Sequence, residues 1–380
     1  VSRTPNSIGL GAVLREWGRI GVTGFGGPPT HIALLRRCCV EERKWMEARE
    51  FEESIAICNL LPGPASTQLA ILCARRIAGR SGAIVGGLAF ILPGFVAMLV
   101  LAALFLGSSP PGWALAIGAG AGASIAAIAL SAGITLSRTS WPASESHFRW
   151  IVYVSIGAGT AMSKGPFVVV ALLVCGCTEL AVSRIGSLSS VMPVFAVVGV
   201  ASTGGLAALT WVAFKVGALS YGGGFVIIPL MQRDAVSVHH WMTDAQFLNA
   251  VALGQVTPGP VVLTIAAVGY AASGVGGAAL ATAVAFAPSF VFILGGVSRL
   301  DRLRGNHAVR SFLGGAGPAA IGAILGVAVP LAMTLTRWWQ GVILVAAALW
   351  MAILRKGVVS GILGAGVVGL VAYLVGAPLP

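Results

Sequence analysis

The stretch NLLPGPASTQ, residues 59–68, places Pro62, Gly63 and Pro64 in the middle of an apolar run that carries no charged residue. Proline lacks the backbone N–H that a helix interior requires, and its ring clashes with the preceding turn. The run is therefore predicted to form two short helices separated by a break.

The composition indicates an integral membrane protein with many spans. Of the 380 residues, 57% are hydrophobic and only 9% charged, with a mean hydropathy of +0.92, whereas a soluble domain carries about 25% charged residues. The net charge of +12 comes from short loops between apolar runs. Such loops are typical of signals that orient a membrane protein, not of a nucleic-acid surface. The six cysteines form no CxxC pair and are interpreted as buried apolar residues, so neither a metal nor a cofactor is expected.

The chain repeats itself at an offset of 196 residues. Residues 19–64 align with 215–260 without a gap, and fourteen positions are identical, among them Trp45/Trp241 and the whole Pro-Gly-Pro triplet. Apolar composition alone does not align tryptophan and Pro-Gly-Pro together, so the two halves are predicted to be homologous. The predicted boundaries are 1–185 for the first repeat, 186–204 for a linker or an additional transmembrane segment, and 205–380 for the second repeat.

Basic loops predict that the two halves have opposite orientations. Loop 75–80 carries three arginines and its counterpart 271–277 carries no charge, while 107–112 is uncharged and its counterpart 299–310 carries four arginines. Because lysine and arginine mark cytoplasmic loops, equivalent loops lie on opposite faces. The fold expected is an all-α polytopic membrane protein built as an inverted-topology repeat. It has about ten transmembrane helices plus re-entrant broken helical hairpins at the two Pro-Gly-Pro motifs.

The path of the chain through the break has two interpretations. Either one spanning helix is broken, or a re-entrant hairpin enters the membrane and returns. Linker 36–53 holds five Lys/Arg and loop 75–80 holds three arginines. The hairpin is favoured because it lets both segments be cytoplasmic.

Broken helices at membrane depth are typical of ligand sites, because the free N–H groups and the dipole at the start of the second segment attract anions. The glycine pairs of GFGGPPTH (24–31) and SYGGGFVI (220–227) let the backbone approach a ligand. Arginines at equivalent positions can clamp an oxyanion with two parallel hydrogen bonds, with snorkelling at helix ends as the alternative. The candidate substrate-binding residues are Gly26, Gly27, Pro28, Arg37, Asn59, Pro62, Gly63, Pro64, Thr67, Gln68, Gly222, Gly223, Gly224, Arg233, Gln255, Pro258, Gly259, Pro260 and Thr264.

Four further residues are candidates for coupling transport to an ion gradient or a potential. Arg19 and Lys215 occupy equivalent positions at membrane edges, and Glu179 lies near a helix end. His31 is a candidate proton carrier, although a packed structural histidine is the alternative and Ile227 replaces it in the second half.

These motifs resemble those of the chromate ion transporter family. The resemblance rests on GFGGPPTHIALLRR, V-x-x-R-K-W, LLPGPASTQLA and AFILPG in the first half, and on SYGGGFVIIPL and GQVTPGPVVLTIAAVGY in the second. It covers about residues 10 to 298. It implies a multi-pass carrier of the bacterial inner membrane that exports chromate from the cytoplasm and confers chromate resistance, driven by the membrane potential or the proton motive force. Asn59 departs from the pattern, since similar sequences tend to carry Gln there, and the shorter side chain bears on specificity.

Other functions compete with chromate export. A carrier that takes up sulfate or another oxyanion is the main alternative, because sulfate shares the tetrahedral shape and charge of chromate. An anion channel and a non-transporting scaffold are the others. An enzyme is not expected, because the sequence has no nucleophile elbow, HExxH motif or paired carboxylates at catalytic spacing. The expected partners are chromate, sulfate, the lipid bilayer and a second copy in a homodimer, but no nucleic acid.

If Arg37 and Arg233 clamp the oxyanion, Arg37→Ala and Arg233→Ala each weaken oxyanion transport and leave membrane insertion unchanged. Flux into vesicles, normalised to the amount of inserted protein, measures this. Wild-type flux in both variants contradicts the clamp and leaves binding to backbone groups.

Overall fold

A computed structural model of the chain describes residues 8–59, 61–107, 110–142, 144–162, 167–184, 205–220, 227–304, 307–353 and 357–379. Across these ranges the backbone forms helices joined by turns and contains no β-strand, which agrees with the all-α prediction. The predicted linker or additional segment 186–204 lies outside the described residues, and the domain boundaries stay predictions.

The α-helices of the described ranges are α1 (Leu10–Thr23), α2 (Pro28–Arg36), α3 (Ala48–Cys58), α4 (Ala65–Leu106), α5 (Gly112–Ala123), α6 (Ile125–Ser140), α7 (His147–Met162), α8 (Phe167–Arg184), α9 (Leu206–Leu219), α10 (Ile227–Gln232), α11 (Asp244–Val256), α12 (Thr264–Arg304), α13 (His307–Met333), α14 (Trp338–Ala352) and α15 (Val358–Leu374). Two π-helical segments, Arg37–Glu42 and Arg233–Val238, and a 3₁₀ turn, Val261–Leu263, join them.

The two longest helices each fold back on themselves. In α4 the chain leaves helical geometry at Ala78 and Gly79, and Gly79 has a φ of +68°, a conformation that favours glycine. A Cβ atom on Gly82 would lie 2.6 Å from the Ala74 carbonyl oxygen, a proximity that eight residues of straight helix do not allow. The segments before and after the turn therefore pack backbone to backbone. In α12 the turn falls at Ser273 and Gly274.

The first Pro-Gly-Pro break lies at the tip of a helical hairpin. The Arg76 guanidinium donates to the Glu50 carbonyl oxygen at 3.0 Å and pairs with the Glu50 carboxylate at 3.4 Å. This contact joins the start of α3 to the end of the first segment of α4, so the break between them is at the far end. The arrangement is that of a hairpin, not of one broken spanning helix, while its depth in a membrane stays a prediction.

The two halves share one backbone plan at the offset of 196 residues. The bounds of α1 and α9 coincide at this offset, and so do those of the two π-helical segments. The rare left-handed conformation of Lys44, with a φ of 52°, recurs at His240, with a φ of 53°. In each half the first helix packs on the long folded helix, α1 on α4 and α9 on α12, and α4 packs on α12 between the halves.

The remaining helices interlock the halves. Helix α13 of the second half packs against α6, α7 and α8 of the first, and α5 of the first half packs against α15 of the second. Glycines make these contacts close, because a side chain on Gly157 would collide with the Ala319 carbonyl and one on Gly120 with the Ala365 carbonyl. Small residues that bring helix backbones together are the usual packing device of membrane helices.

Among the described helices, four segments are long and apolar enough to cross a membrane: Ala65–Leu106, Gly112–Ser140, Val261–Gly296 and His307–Met333. Shorter apolar helices accompany them at Phe167–Ser183, Leu206–Leu219, Trp338–Ala352 and Val358–Leu374. Large apolar side chains on the outer surface, such as Val100 and Val291, suit contact with lipid. The chain is thus a multi-pass membrane protein, while the number of about ten crossings and the opposite orientation of the halves stay predictions.

Close packing of α1 on α4 leads to a stability prediction. Gly21→Ala places a Cβ atom 2.8 Å from the Phe90 carbonyl oxygen, so α1 has to shift away from α4. This lowers the free energy of unfolding by about 1–3 kcal/mol. We expect the Tm of the purified protein in detergent to fall by several degrees. Gly18→Ala, three residues earlier on α1, meets no atom within 4 Å and serves as the control with an unchanged or slightly higher Tm. An equal fall in both variants contradicts this packing.

Candidate functional site

Two reciprocal hydrogen bonds dock each helix break on the other half of the chain. The Gly63 N–H donates to the Ser220 carbonyl oxygen at 3.1 Å, and the Gly259 N–H donates to the Gly24 carbonyl oxygen at 3.0 Å. Gly63 and Gly259 are equivalent positions of the repeat, and so are Gly24 and Ser220. The two bonds are therefore equivalent under the repeat, and each half supplies one donor and one acceptor to the other.

The acceptors of these bonds cap the first helix of each half. Gly24 follows α1 and Ser220 follows α9, where carbonyl groups lack partners within the helix. The N–H groups of the breaks supply the missing donors. The predicted break residues Pro62, Gly63 and Pro64 are thus held against the second half, and Pro258, Gly259 and Pro260 against the first.

Neighbouring side chains contact the first break closely. Gly63 has a φ of +124°, and a Cβ atom there would lie 2.5 Å from Nε2 of Gln68 and 3.4 Å from Oγ of Ser289. Nε2 of Gln68 in turn donates to the Pro62 carbonyl oxygen at 2.7 Å. Helix α4 begins after Pro64 without a side-chain cap, and since the N–H groups of Thr67 and Gln68 donate to the Pro64 carbonyl oxygen, those of Ala65 and Ser66 are left at the break.

Six buried polar side-chain atoms around the breaks have no hydrogen-bond partner within the protein. A buried polar atom without a partner costs about 1–3 kcal/mol, and a cluster of them is typical of a site that binds a polar ligand or water. The atoms are Nδ1 of His31, Oγ1 of Thr67, Oε1 of Gln68, Oγ of Ser220, Nε2 of Gln255 and Oγ of Ser289.

Ser220 and Ser289 were missed by the sequence analysis. Both are fully buried, but a serine in a glycine-rich apolar stretch is common and does not by itself indicate a site. The repeat did contain a signal. Ser220 stands where the first half has Gly24, and Ser289, in AFAPSF, stands where AFILPGF has Gly94 once a one-residue gap aligns these two stretches of unequal length.

His31 lies at the second break. Its Nε2 is 2.9 Å from the Gly24 carbonyl oxygen, so Nε2 carries the proton and donates to a carbonyl that also accepts from Gly259. The ring packs edge-on against Phe90 at 5.0 Å and is fully buried. These contacts fit a neutral, packed histidine with a free Nδ1, and its role as a proton carrier stays a prediction.

The remaining candidates near the second break are bound by local contacts. Thr264 donates to the Val261 carbonyl oxygen at 2.9 Å. Gly26 and Gly27 both have positive φ and directly precede α2, and a Cβ atom on Gly27 would lie 3.7 Å from Cγ2 of Val261 of the other half. Pro28 is the first residue of α2.

Other candidates are elsewhere or are not described. Asn59 is exposed and is not one of the six buried unpartnered residues. Gly222, Gly223 and Gly224 lie outside the described residues. The expectation of six buried cysteines is wrong for Cys177, which is exposed on α8, while the other five are buried.

The predicted cations form ion pairs near helix ends. Arg37 is two-thirds exposed and donates to Glu42 at 2.7 Å, and Arg19 donates to the other oxygen of Glu42 at 3.2 Å. The hydrogen bond from Arg19, with the one from Arg37, lowers the pKa of the Glu42 carboxyl below its ordinary value. In the second half Lys215 and Arg233 both contact the buried Asp234. Each of these cations is thus already paired with a carboxylate. The clamp proposed for Arg37 and Arg233 stays a prediction.

Glu179 lies in a separate polar cavity of about 250 Å³ between α7, α8 and α13. Its carboxylate accepts from Nε and Nη2 of Arg149, both at 2.9 Å, and from the Tyr153 hydroxyl at 2.8 Å. A bidentate pair with a third donor satisfies this buried acid. These bonds link α7 to α8. The coupling role of Glu179 stays a prediction.

Comparison with known proteins gives the family. The sequence profile of the chromate transporter family matches residues 11–201 and 207–370. The chain belongs to the chromate transporter family. Among its relatives, the chromate transport protein of Cupriavidus metallidurans is 29% identical over 93% of this chain and 91% of its own length. The probable chromate transport protein of Synechococcus elongatus is 30% identical over 82% of each chain. The chromate transport protein of Pseudomonas aeruginosa is 30% identical over 83% of this chain and 79% of its own. No solved structure matches the chain.

In this chromate transporter, Glu179→Ala leaves Arg149 without its carboxylate and is expected to destabilise the protein by about 2 kcal/mol. The double variant Arg149→Ala/Glu179→Ala removes both charges and is expected to recover part of that loss. Tm in detergent measures both. An unchanged Tm in Glu179→Ala, with a pH dependence of chromate flux that differs from wild type, contradicts the structural role and favours coupling.

Proposed function

We propose that this chromate transporter family member is a secondary carrier that exports chromate from the cytoplasm and binds the oxyanion in the region of the helix breaks. The observation that supports it is the pair of reciprocal hydrogen bonds between Gly63 and Ser220 and between Gly259 and Gly24. They place each break against the other half, and the unpartnered buried polar atoms belong to the breaks and to the segments around them.

The chemistry of the helix breaks suits a tetrahedral oxyanion. Hydroxyl and amide groups of Thr67, Gln68, Ser220 and Ser289 donate hydrogen bonds, and the start of α4 adds free N–H groups and a positive dipole end. A hydrogen bond to a charged acceptor contributes about 1.5–3 kcal/mol. Several of them offset the cost of removing an anion from water without a buried arginine.

We infer from the reciprocal bonds that a pseudo-two-fold axis relates the two halves, and such an axis supports alternating access. If the halves have opposite orientations in the membrane, as their basic loops predict, the axis lies in the membrane plane and relates an inward-open to an outward-open state. Each half then moves against the other around a site to which both contribute. A channel needs no such exchange of contacts, so we favour a carrier.

The membrane potential is a sufficient driving force for export. A potential of 100 mV, inside negative, is worth about 2.3 kcal/mol per charge, hence about 4.6 kcal/mol for a dianion. That free energy maintains an outward gradient of roughly a thousandfold. Uptake of the same dianion needs a coupled cation. Proton coupling through His31 is the alternative for export.

The cellular setting belongs to the same proposal. We place the carrier in the bacterial inner membrane, where outward transport confers chromate resistance, and we expect a homodimer with sulfate as a competing substrate. The bacterial relatives named as chromate transport proteins support this setting.

Flux of radiolabelled chromate and sulfate into inside-out membrane vesicles tests the function, with the membrane potential and the pH gradient imposed separately. Chromate is expected to accumulate when the vesicle interior is positive and no pH gradient is present. Gly63→Ala forces a side chain into a left-handed conformation against Gln68 and is expected to abolish flux. Gly295→Ala, on an exposed helix position with no atom within 4 Å, is the matched control.

The other outcomes identify the alternatives. A strict requirement for a pH gradient indicates proton antiport. Sulfate transport with chromate acting only as an inhibitor indicates a sulfate carrier. No flux of either anion, with normal insertion, overturns the carrier.

A further inference from the structure

We infer that the two breaks are not equivalent and that a single oxyanion site lies at the first break, formed by Thr67 and Gln68 of one half and Ser220 and Ser289 of the other. This inference rests on the proposed function and goes beyond it, because the repeat alone predicts two equal sites related by the axis.

The repeat allows a comparison position by position. Thr67 of the first break corresponds to Leu263 of the second, and Gln68 corresponds to Thr264. The residues of the opposite half that contact each break also differ, because they are serines at the first break and glycines at the second. The first break meets Ser220 and Ser289, and the second meets Gly24 and Gly94, their repeat equivalents.

Four side chains at the first break are polar and fully buried, and each has a polar atom without a hydrogen-bond partner. Thr67, Gln68, Ser220 and Ser289 each have 0% exposure, and each contributes an atom without a partner in the protein. The three hydroxyl groups are free to donate. Gln68 uses one amide hydrogen on the Pro62 carbonyl and keeps the second. Three hydroxyl groups and one amide N–H, two residues from each half, can donate to the oxygens of a tetrahedral anion, whereas the unpartnered atom of Gln68, Oε1, is an acceptor.

The second break is closed by apolar packing. A side chain on Gly94 would collide with the Pro258 carbonyl, and Cδ1 of Leu263 lies 2.6 Å from where its Cβ atom would be. The same Leu263 atom is 3.5 Å from the Cβ position of Gly259. Thr264 is already bonded to Val261. Among the described residues here, Gln255 and His31 keep one unpartnered atom each, and Gly24 and Gly94 contribute no side chain.

The asymmetry also ties binding to the arrangement of the halves. Ser220 follows α9 and Ser289 lies in α12, while Thr67 and Gln68 begin α4. A movement of one half against the other separates the two pairs of donors and dismantles the site. Binding thus senses the relative position of the halves, which is what a carrier requires.

Equilibrium binding of radiolabelled chromate to the purified full chain in nanodiscs tests the inference. We expect one chromate per chain in the wild type. Thr67→Val, Ser220→Ala and Ser289→Ala each remove one donor and are expected to raise the Kd about 10- to 150-fold, which is the effect of one hydrogen bond to a charged acceptor. Thr282→Val, a buried threonine on the same helix as Ser289 that is bonded to Ala278, is the control for a buried change in α12.

Thermal stability separates a binding role from a structural one. Ser220→Ala and Ser289→Ala remove a buried hydroxyl that has no partner, so the Tm without chromate is expected to stay equal or to rise. A clear fall in Tm means that these serines support the fold, and this result overturns the inference.

Two further results overturn it while the carrier function stands. One is a stoichiometry of two chromates per chain. The other is a loss of affinity in Thr264→Val at the second break that equals the loss in Thr67→Val at the first. A wild-type chain that neither binds nor transports chromate instead overturns the proposed function, and the inference with it.

Discussion

The exchange of backbone hydrogen bonds between the halves is the constraint on which the rest of the structure depends. A helix broken by Pro-Gly-Pro exposes N–H groups that an apolar interior does not satisfy. The chain satisfies them with carbonyls at the ends of α1 and α9 of the opposite half. The glycines at both breaks follow from this, since Gly63 and Gly259 adopt positive φ so that their N–H groups can reach across.

The buried acidic side chains belong to ion pairs and not to the unpartnered polar cluster. The described acidic residues that are buried, Glu16, Glu179 and Asp234, are each bonded to a basic side chain, and none belongs to the unpartnered polar cluster. A neutral site of donors beside helix ends binds an anion without holding it as tightly as a buried arginine would. Weak enough binding to permit release suits a protein that moves its ligand.

Much of this arrangement was readable from the sequence, and the reasons for the rest are physical. Composition predicted a helical membrane protein, the repeat predicted matching elements, and the doubled Pro-Gly-Pro predicted the breaks and much of the polar cluster. Ser220 and Ser289 were missed because their meaning depends on a contact between halves, which sequence spacing does not encode. Arg37 looked available as a clamp because the sequence does not show that its π-helical turn brings Glu42 to within 2.7 Å.

The packing of α13 against α6, α7 and α8 has a consequence for biosynthesis. The ribosome completes these three helices well before it makes α13. Until α13 is made, we expect the surface of α7 at Gly157, which contacts the α13 backbone in the folded protein, to face lipid. A chain truncated before α13 is therefore an unfinished assembly with an open groove in the membrane, not a smaller working transporter.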